Sequence, residues 1–407
     1  MRGHSVTDEW PVDTLRVADL LASGWRAVPF QQFILKVHSR CNLACDYCYM
    51  YEMADRTWSS KPKVMSSDVM ALSCRRIAEH AARHRLDRVK VVLHGGEPLL
   101  AGAGMLAEIA ATLRRELPDG CALDLRVQTN GVLLDEKMLD SLAAHDIRVG
   151  VSLDGSPAAH DRHRRHANGR GSHAEAARAL RLLGGERYRR LFAGLLCVID
   201  LDADPLETYE SLLAFGPPQV DFLLPQGNWS VPVPRRSADE GDASYGDWLV
   251  TIFDRWYDAP RRETEVRLFA EIVNLVLGGQ SQVESVGLSP VALIVVDTDG
   301  SLEQVDTLRS AYHGAAATEL TVADNSFDEA LRHPAIAARQ IGLAALGETC
   351  QQCGIRRVCG GGHYSHRYRR GSGFRHASVY CADLTRLITH VIGRVHTDLA
   401  ALRPGGR

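Results

Sequence analysis

Long apolar runs are missing from this chain of 407 residues. No segment approaches the ~18 consecutive apolar residues that cross a bilayer. The first residues, Met1 to Glu9, are polar and carry no apolar secretory core. The expectation is a soluble cytoplasmic protein with no membrane partner. Charge of one sign is also missing. A formal net charge of −3 gives no reason to expect a nucleic-acid partner. The basic clusters His163–His166 and Arg367–Arg370 read as solvated faces. Cysteine is scarce: ten residues cannot make a disulfide scaffold of this length. Hydrophobic residues reach 45%, enough for a sizeable core, and the length allows one large domain with a smaller one.

The few cysteines are clustered, which argues for metal in a reducing compartment. Cys41, Cys45 and Cys48 stand at C-x3-C-x2-C spacing between Val37 and Glu52. Three thiolates on one loop can hold three corners of a [4Fe–4S] cube and leave the fourth iron open to a small molecule. Zinc is the alternative, although structural zinc wants four ligands and no fourth follows nearby. Tyr47, Tyr49 and Tyr51 would shield a cluster from water. Farther on, Cys350, Cys353, Cys359 and Cys381 could hold a second cluster or zinc, and spacing does not decide between them. Cys74, Cys121 and Cys197 read as small apolar residues.

From Phe30 the pattern alternates strand and helix. Strands are expected at Phe33–His38, Val89–His94, Leu123–Thr129, Ile147–Leu153, Leu191–Asp200 and Val220–Leu224. Helices are expected at Val12–Trp25, Met65–Arg85, Gly104–Leu117, Asp135–His145, Ser172–Leu183, Pro205–Phe215, Tyr245–Tyr257, Glu263–Leu277 and Ala382–Leu402. Six β/α units with near-continuous apolar strands predict a parallel sheet, closed or nearly closed into a barrel. Function in such folds gathers at the carboxyl ends of the strands.

Polar motifs fall at those ends. Gly95, Gly96 and Glu97 follow the second strand; paired glycines let backbone approach a ligand, and Glu97 or a nearby carbonyl can accept from an ammonium. Gln128 and Asn130 end the third strand and Ser152 the fourth. Arg164, twelve residues past Ser152, can clasp a carboxylate, as can its neighbours Arg162 and Arg165.

The cysteine loop resembles the signature of radical S-adenosylmethionine (SAM) enzymes. That resemblance implies a [4Fe–4S] cluster whose open iron chelates SAM, and reductive cleavage of SAM to a 5′-deoxyadenosyl radical. It implies that Gly95, Gly96 and Glu97 hold the SAM amino group, Ser152 the ribose and Arg164 the carboxylate, as in anaerobic sulfatase maturases. The C-terminal cysteines resemble the SPASM extension, which implies one auxiliary [4Fe–4S] cluster on Cys350, Cys353, Cys359 and Cys381. His363 and Val305 stand where SPASM proteins with two auxiliary clusters place further cysteines. Asp306 matches the proposed proton-accepting base of sulfatase maturases.

Wider wording resembles the FxsB-type cyclophane-forming peptide maturases: Leu35–Arg40, Tyr51–Asp55, His94–Gly102 and Asp297–Glu303. That resemblance implies a ribosomally made precursor peptide, leader plus core, as substrate. An aromatic ring would be joined to the Cβ of a residue two positions along, and an electron donor such as flavodoxin or ferredoxin would be needed. Two alternatives stand beside it: oxidation of Cys or Ser to formylglycine, and a non-catalytic iron–sulfur protein that binds peptides or senses redox state. The fold class implied is α/β, a partial (β/α)6 TIM-like radical SAM barrel with a SPASM-like iron–sulfur domain. The divisions expected are an N-terminal extension at 1–30, the barrel at 31–225, a bridging helical segment at 226–290, the auxiliary-cluster domain at 291–390, and a helix end and tail at 391–407.

Overall fold

The computed structural model describes residues 10–12, 14–235 and 241–402. The polar start Met1–Glu9 and the expected loose end Pro404–Arg407 lie outside the described residues. Six parallel strands follow in chain order: β1 (Gln32–His38), β2 (Arg88–Gly95), β3 (Ala122–Thr129), β4 (Arg148–Ser152), β5 (Phe192–Val198) and β6 (Gln219–Leu223). Helices alternate with them: α1 (Val17–Ala22) before the sheet, then α2 (Ser67–His84), α3 (Gly102–Glu116), α4 (Glu136–Ala144), α5 (Pro157–His163), α6 (His173–Gly184) and α7 (Pro205–Leu213). The partial (β/α)6 architecture is the one the alternating pattern predicts.

Local chemistry sets the helix starts. The Ser66 side chain accepts from the Val69 N–H at 3.2 Å, Asp135 from Met138 at 2.8 Å and Asp204 from Glu207 at 2.8 Å. Each satisfies an N–H that the first helical turn leaves unpaired. Phe33, Leu35 and Val37 of β1 are fully buried beneath Ile77 of α2 and Leu106 and Ile109 of α3. Each such side chain contributes roughly 1.5–3 kcal/mol of hydrophobic stabilisation.

Four strands lie beyond the expected six. The predicted helix Glu263–Leu277 divides into β7 (Glu265–Val266) and α9 (Arg267–Val276), after α8 (Ser244–Tyr257). Val220 of β6 registers with Val266, which is wholly buried, and the Arg267 Nε donates to Asp221 of β6 at 2.9 Å. Pairing across more than forty residues overrides a local helical period. The helix expected over Val12–Trp25 narrows to α1 and stops at Gly24, whose φ of +94° suits glycine. On the other side of the sheet, β8 (Leu293–Val296) pairs in parallel with β1, and β9 (Ser301–Glu303) and β10 (Ala317–Thr321) continue antiparallel. Among the described residues the ten strands form one open sheet with β10 and β7 at its edges. Residues 291–390 thus begin as part of the barrel's sheet, and we propose the division at 291 as the start of cluster-bearing sequence and not as the edge of a separately folding unit.

The C-terminal helix Cys381–Leu402 lies against α8. Contact is close because Gly246 has no side chain: a Cβ there would stand 2.6 Å from the Asp383 carbonyl oxygen. The Gly246 N–H donates to the Asp383 carboxylate at 2.9 Å. A Gly246→Ala change forces the helices apart and is expected to cost about 1–3 kcal/mol, read as a lower urea midpoint. An unchanged midpoint would show that the two helices do not depend on this approach.

Candidate active site

The cysteine loop hangs from the end of β1 and is held by the end of β2. The Gly96 N–H donates to the His38 carbonyl at 2.8 Å and the Glu97 N–H to the Arg40 carbonyl at 3.0 Å. Gly95 has φ +147°, and a Cβ there would lie 2.1 Å from the His38 oxygen. A Cβ on Gly96 would meet the Tyr51 hydroxyl at 1.9 Å. The paired glycines therefore admit the cysteine loop itself as well as lining the cavity above it. Asn130 completes the support: its Nδ2 donates to Asn42 at 2.8 Å and reaches the Cys41 Sγ at 3.7 Å. The Leu43 N–H donates to the same sulfur at 3.4 Å.

Cys41, Cys45 and Cys48 open into one cavity of about 170 Å³ at the carboxyl ends of the strands, shared with Gln128, Ser152 and Arg164. Burial pushes the free thiols up, Cys41 to about 11 and Cys48 to about 12. They ligate only where a metal centre supplies the compensating charge, which fits a cluster. Gln128 Nε2 donates to Ser152 Oγ at 3.1 Å, so these two polar groups act as a pair.

Glu97 is placed differently from the expectation. Its carboxylate is buried and accepts from the Leu99 N–H at 3.0 Å, the Thr129 hydroxyl at 2.7 Å and the Asn130 N–H at 2.8 Å. It ties the ends of β2 and β3 together and is not part of the cavity wall. Three donors take most of its acceptor capacity, and we propose that a nearby backbone carbonyl, the other acceptor expected, takes the ammonium role.

Arg164 lines the cavity, whereas Arg162 pairs with Asp200 and Arg165 donates to the Asp161 carbonyl at 2.7 Å. Asp154 aims it. One Asp154 oxygen accepts from Arg164 Nε at 2.8 Å and from the Tyr47 hydroxyl; the other accepts from the Val198 N–H at 2.9 Å. Burial opposes the Asp154 charge, yet Arg164 and its hydrogen bonds hold the carboxyl below its usual range. The Arg164 guanidinium lies 5.6 Å from the Tyr47 ring centre. Beneath, His160 Nδ1 accepts from the Asp154 N–H at 3.2 Å, His160 Nε2 meets Ser172 Oγ at 3.1 Å, and Ser172 donates to the Arg164 carbonyl at 2.8 Å. Asp154, Tyr47, His160 and Ser172 are supports that sequence reading missed. Only the nearness of Asp154 and His160 to Ser152 and Arg164 in the chain hinted at them.

Asp306 sits in a buried ion network. Lys36 Nζ lies 2.8 Å from Asp297, 3.0 Å from Asp306 and 3.7 Å from Glu303. Arg309 meets Asp306 at 3.2 Å and Asp297 at 3.0 Å, and also pairs with Asp55 and Glu303. Burial alone would raise the Asp306 carboxyl; Lys36 and Arg309 override it and hold it far below its usual range. Asp306 is not in the cavity wall, which places it one layer behind the residues that are. Its neighbour Val305 packs beside a small apolar cluster that includes Leu308 and Tyr364.

The C-terminal cysteines converge. Cys381 and Cys353 both act electrostatically on Cys350, and Cys381 and Cys350 on Cys359. Buried Arg367 stands over them, its guanidinium donating to the carbonyls of Gly360, Gly361 and Gly362 at 2.7, 3.0 and 2.7 Å. These glycines have φ of +61°, +80° and +69°, a turn that side chains resist. Four cysteines in one segment, with Arg367 near Cys350 and Cys359, offer the ligand number of a fully ligated cluster. His363 is engaged elsewhere, with Ser365 at 2.9 Å and near Glu284, which Arg339 holds at 2.7 Å. Cys74 and Cys197 are buried as expected, and Cys121 is half-buried.

Removing the Asp154 carboxylate strips the buried Arg164 of its partner. An Asp154→Ala enzyme with its cluster in place is expected to bind SAM at least ~10-fold more weakly in equilibrium dialysis, about 1.4 kcal/mol. Arg162→Ala is expected to bind it as the parent does.

Residues 35–212 match the family model described as the radical SAM superfamily. Across 391 residues, 93% of this chain and 88% of the relative, the chain is 27% identical to the serine-type anaerobic sulfatase-maturating enzyme of Klebsiella aerogenes. The structure of native anSMEcpe with bound AdoMet and Cp18Cys peptide shares the fold, with a TM-score of 0.77 at 21% identity over 91% of this chain and 99% of that one. Streptococcus suis SuiB bound to precursor peptide SuiA shares it at TM-score 0.59 and 12% identity, over 89% of this chain and 78% of that one. The chain is thus similar to the radical SAM superfamily through residues 35–212, to anaerobic sulfatase-maturating enzymes along most of its length, and in fold to anSMEcpe.

Proposed function

We propose that the protein modifies a ribosomally made precursor peptide by joining an aromatic ring to the Cβ of a residue two positions along, a cyclophane cross-link. The observation that carries this reading is the apolar part of the cavity lining. Leu196 and Val198 of β5, Leu223 of β6, Leu224 and Pro225 beyond it, and Tyr49 line the same space as the cysteines. An aromatic side chain is suited to such a wall. The FxsB-type wording of the chain points the same way. His363 and Val305, in place of cysteines, leave one set of four C-terminal thiols, Cys350, Cys353, Cys359 and Cys381, as proposed ligands of a single auxiliary cluster.

The proposed roles rest on the resemblance, and the geometry supports them. Cys41, Cys45 and Cys48 hold the cluster, Gly95 and Gly96 admit its loop, and Asn130 braces it. Arg164 clasps the SAM carboxylate, and Gln128 and Ser152 meet hydroxyl groups. When bound, the cluster and SAM supply hydrogen-atom abstraction from an unactivated carbon. The apolar wall excludes water and holds the ring against the reacting carbon, which favours bond formation by proximity. Each cross-link removes two hydrogens from the peptide, so a proton and an electron must leave; Asp306 is the carboxylate the resemblance assigns to the proton. A flavodoxin or ferredoxin is the proposed electron donor, in a reducing cytoplasm that keeps the cysteines out of disulfides. No helix among the described residues is long and apolar enough to cross a membrane.

Formylglycine formation is the second reading, favoured by the 27% identity to a sulfatase-maturating enzyme over nearly the whole chain. Tandem mass spectrometry of the peptide encoded beside the gene, co-expressed with and without the enzyme, separates the two. The expected outcome is loss of two hydrogens, with fragmentation suppressed between an aromatic residue and the residue two along. An aldehyde at Cys or Ser overturns the cross-link in favour of formylglycine. An unmodified peptide with no SAM cleavage by the reduced, iron-replete protein favours a binding or sensing role.

A further inference from the structure

His94 is the cavity residue for which the assigned roles have no use. It is the penultimate residue of β2 and lines the space shared by the cysteine loop, Tyr49 and Gln128. It registers directly across the sheet from Lys36, whose ammonium is 3.0 Å from the Asp306 carboxylate. The imidazole therefore occupies the cavity side of the ion network, and Asp306 the protein side. Its Nδ1 is buried without a hydrogen-bond partner. A buried nitrogen left so costs roughly 1–3 kcal/mol.

Asp306 itself is poorly suited to receive a proton. Lys36 and Arg309 both pair with one of its oxygens, and protonation would leave two buried cations less well compensated. We propose that His94 is the residue that receives the proton the peptide gives up, and that Asp306 is the positioning residue behind it, its negative charge stabilising the imidazolium as it forms. This rests on the cross-linking function proposed above. The step balances as follows. One hydrogen atom leaves the peptide Cβ to the SAM-derived adenosyl group. The carbon radical bonds to a ring carbon. The hydrogen on that ring carbon leaves as a proton to the imidazole, and the remaining electron goes to a one-electron acceptor of the iron–sulfur class. Two hydrogens are lost and the ring is aromatic again.

The surroundings keep the imidazole neutral and ready. Burial is the main influence and pulls its pKa below the ordinary 6.5. Lys36 pulls the same way, while Asp306 and the Gly95 backbone oppose both. A base must be unprotonated to act, so cross-linking falls as pH drops through the pKa of His94, and that acid limb lies below the usual histidine range.

The test compares wild type, His94→Ala, His94→Gln and Asp306→Asn, each loaded with iron and incubated with SAM and the precursor peptide. Iron content and SAM affinity are measured on every variant, and 5′-deoxyadenosine and cross-linked peptide are counted together. We expect cross-links per 5′-deoxyadenosine to fall on the order of 10²-fold in both His94 variants, the contribution of a positioned base. Added imidazole should restore part of the loss in His94→Ala, and Asp306→Asn should move the acid limb to lower pH. The proposal is overturned if His94→Ala and His94→Gln keep the wild-type ratio, or if Asp306→Asn alone collapses it. It is also overturned if the His94 variants lose SAM affinity in proportion to product, which is what a merely structural residue would do. Wild-type enzyme that forms no cross-link overturns the function on which the inference rests, a result separate from any variant's.

Discussion

Two cations, Lys36 and Arg309, are buried where water cannot reach them, and the molecule is arranged around the need to neutralise them. Arg309 is the largest fully buried side chain among the described residues. An isolated buried charge costs several kcal/mol, so each cation must be met by carboxylates held in place by the fold. Asp297 comes from the end of β8, Glu303 from β9, Asp306 from the turn beyond, and Asp55 from the far side of the cysteine loop. Lys36 brings the network to β1, the strand from which the cysteine loop hangs. One electrostatic requirement thus fastens the C-terminal strands to the barrel, fixes the far end of the loop, and sets a layer of charge behind the cavity.

A second constraint is steric. The cysteine loop can sit on the strand ends only where the backbone presented to it has no side chain, which is the service of Gly95 and Gly96. The hydrogen bonds across that contact, from Gly96 to His38 and from Glu97 to Arg40, join two segments nearly sixty residues apart. Glu97 then turns its carboxylate inward to cross-link β2 and β3. The Gly-Gly-Glu motif is therefore a device for building the floor of the site, and only its glycine backbone remains on the cavity side.

The polar half of the cavity is built from relays. Arg164 is aimed by Asp154 and steadied by Tyr47, and its carbonyl is fixed through Ser172 and His160. Preorganisation of this kind spares the site the cost of ordering side chains when a ligand arrives. The apolar half is plain strand sequence, Leu196, Val198 and Leu223, whose alternate residues face the cavity because strand side chains alternate. Chemistry and shape thus come from opposite sides of one sheet end.

Much of this was legible in the residues. Alternating apolar strands and capped helices announced six β/α units, because each rests on local periodicity and on hydrogen bonds within a few residues. Cysteine spacing announced both proposed metal-binding segments, because ligands on one loop are near in sequence as well as in space. The remainder depended on contacts between distant residues. β7 and β8 were hidden because a short strand is defined by its partner; β8 joins β1 across some 260 residues. The inward turn of Glu97, the burial of Asp306 between two cations and the open face of His94 were hidden for the same reason: a side chain's partners are chosen by packing. The sequence by itself determined which elements form and which chemical groups are present. Only the tertiary structure decided which carboxylates are used up in holding the fold together and which imidazole lines the cavity, because burial and pairing, not residue type, set whether a polar group is free to react.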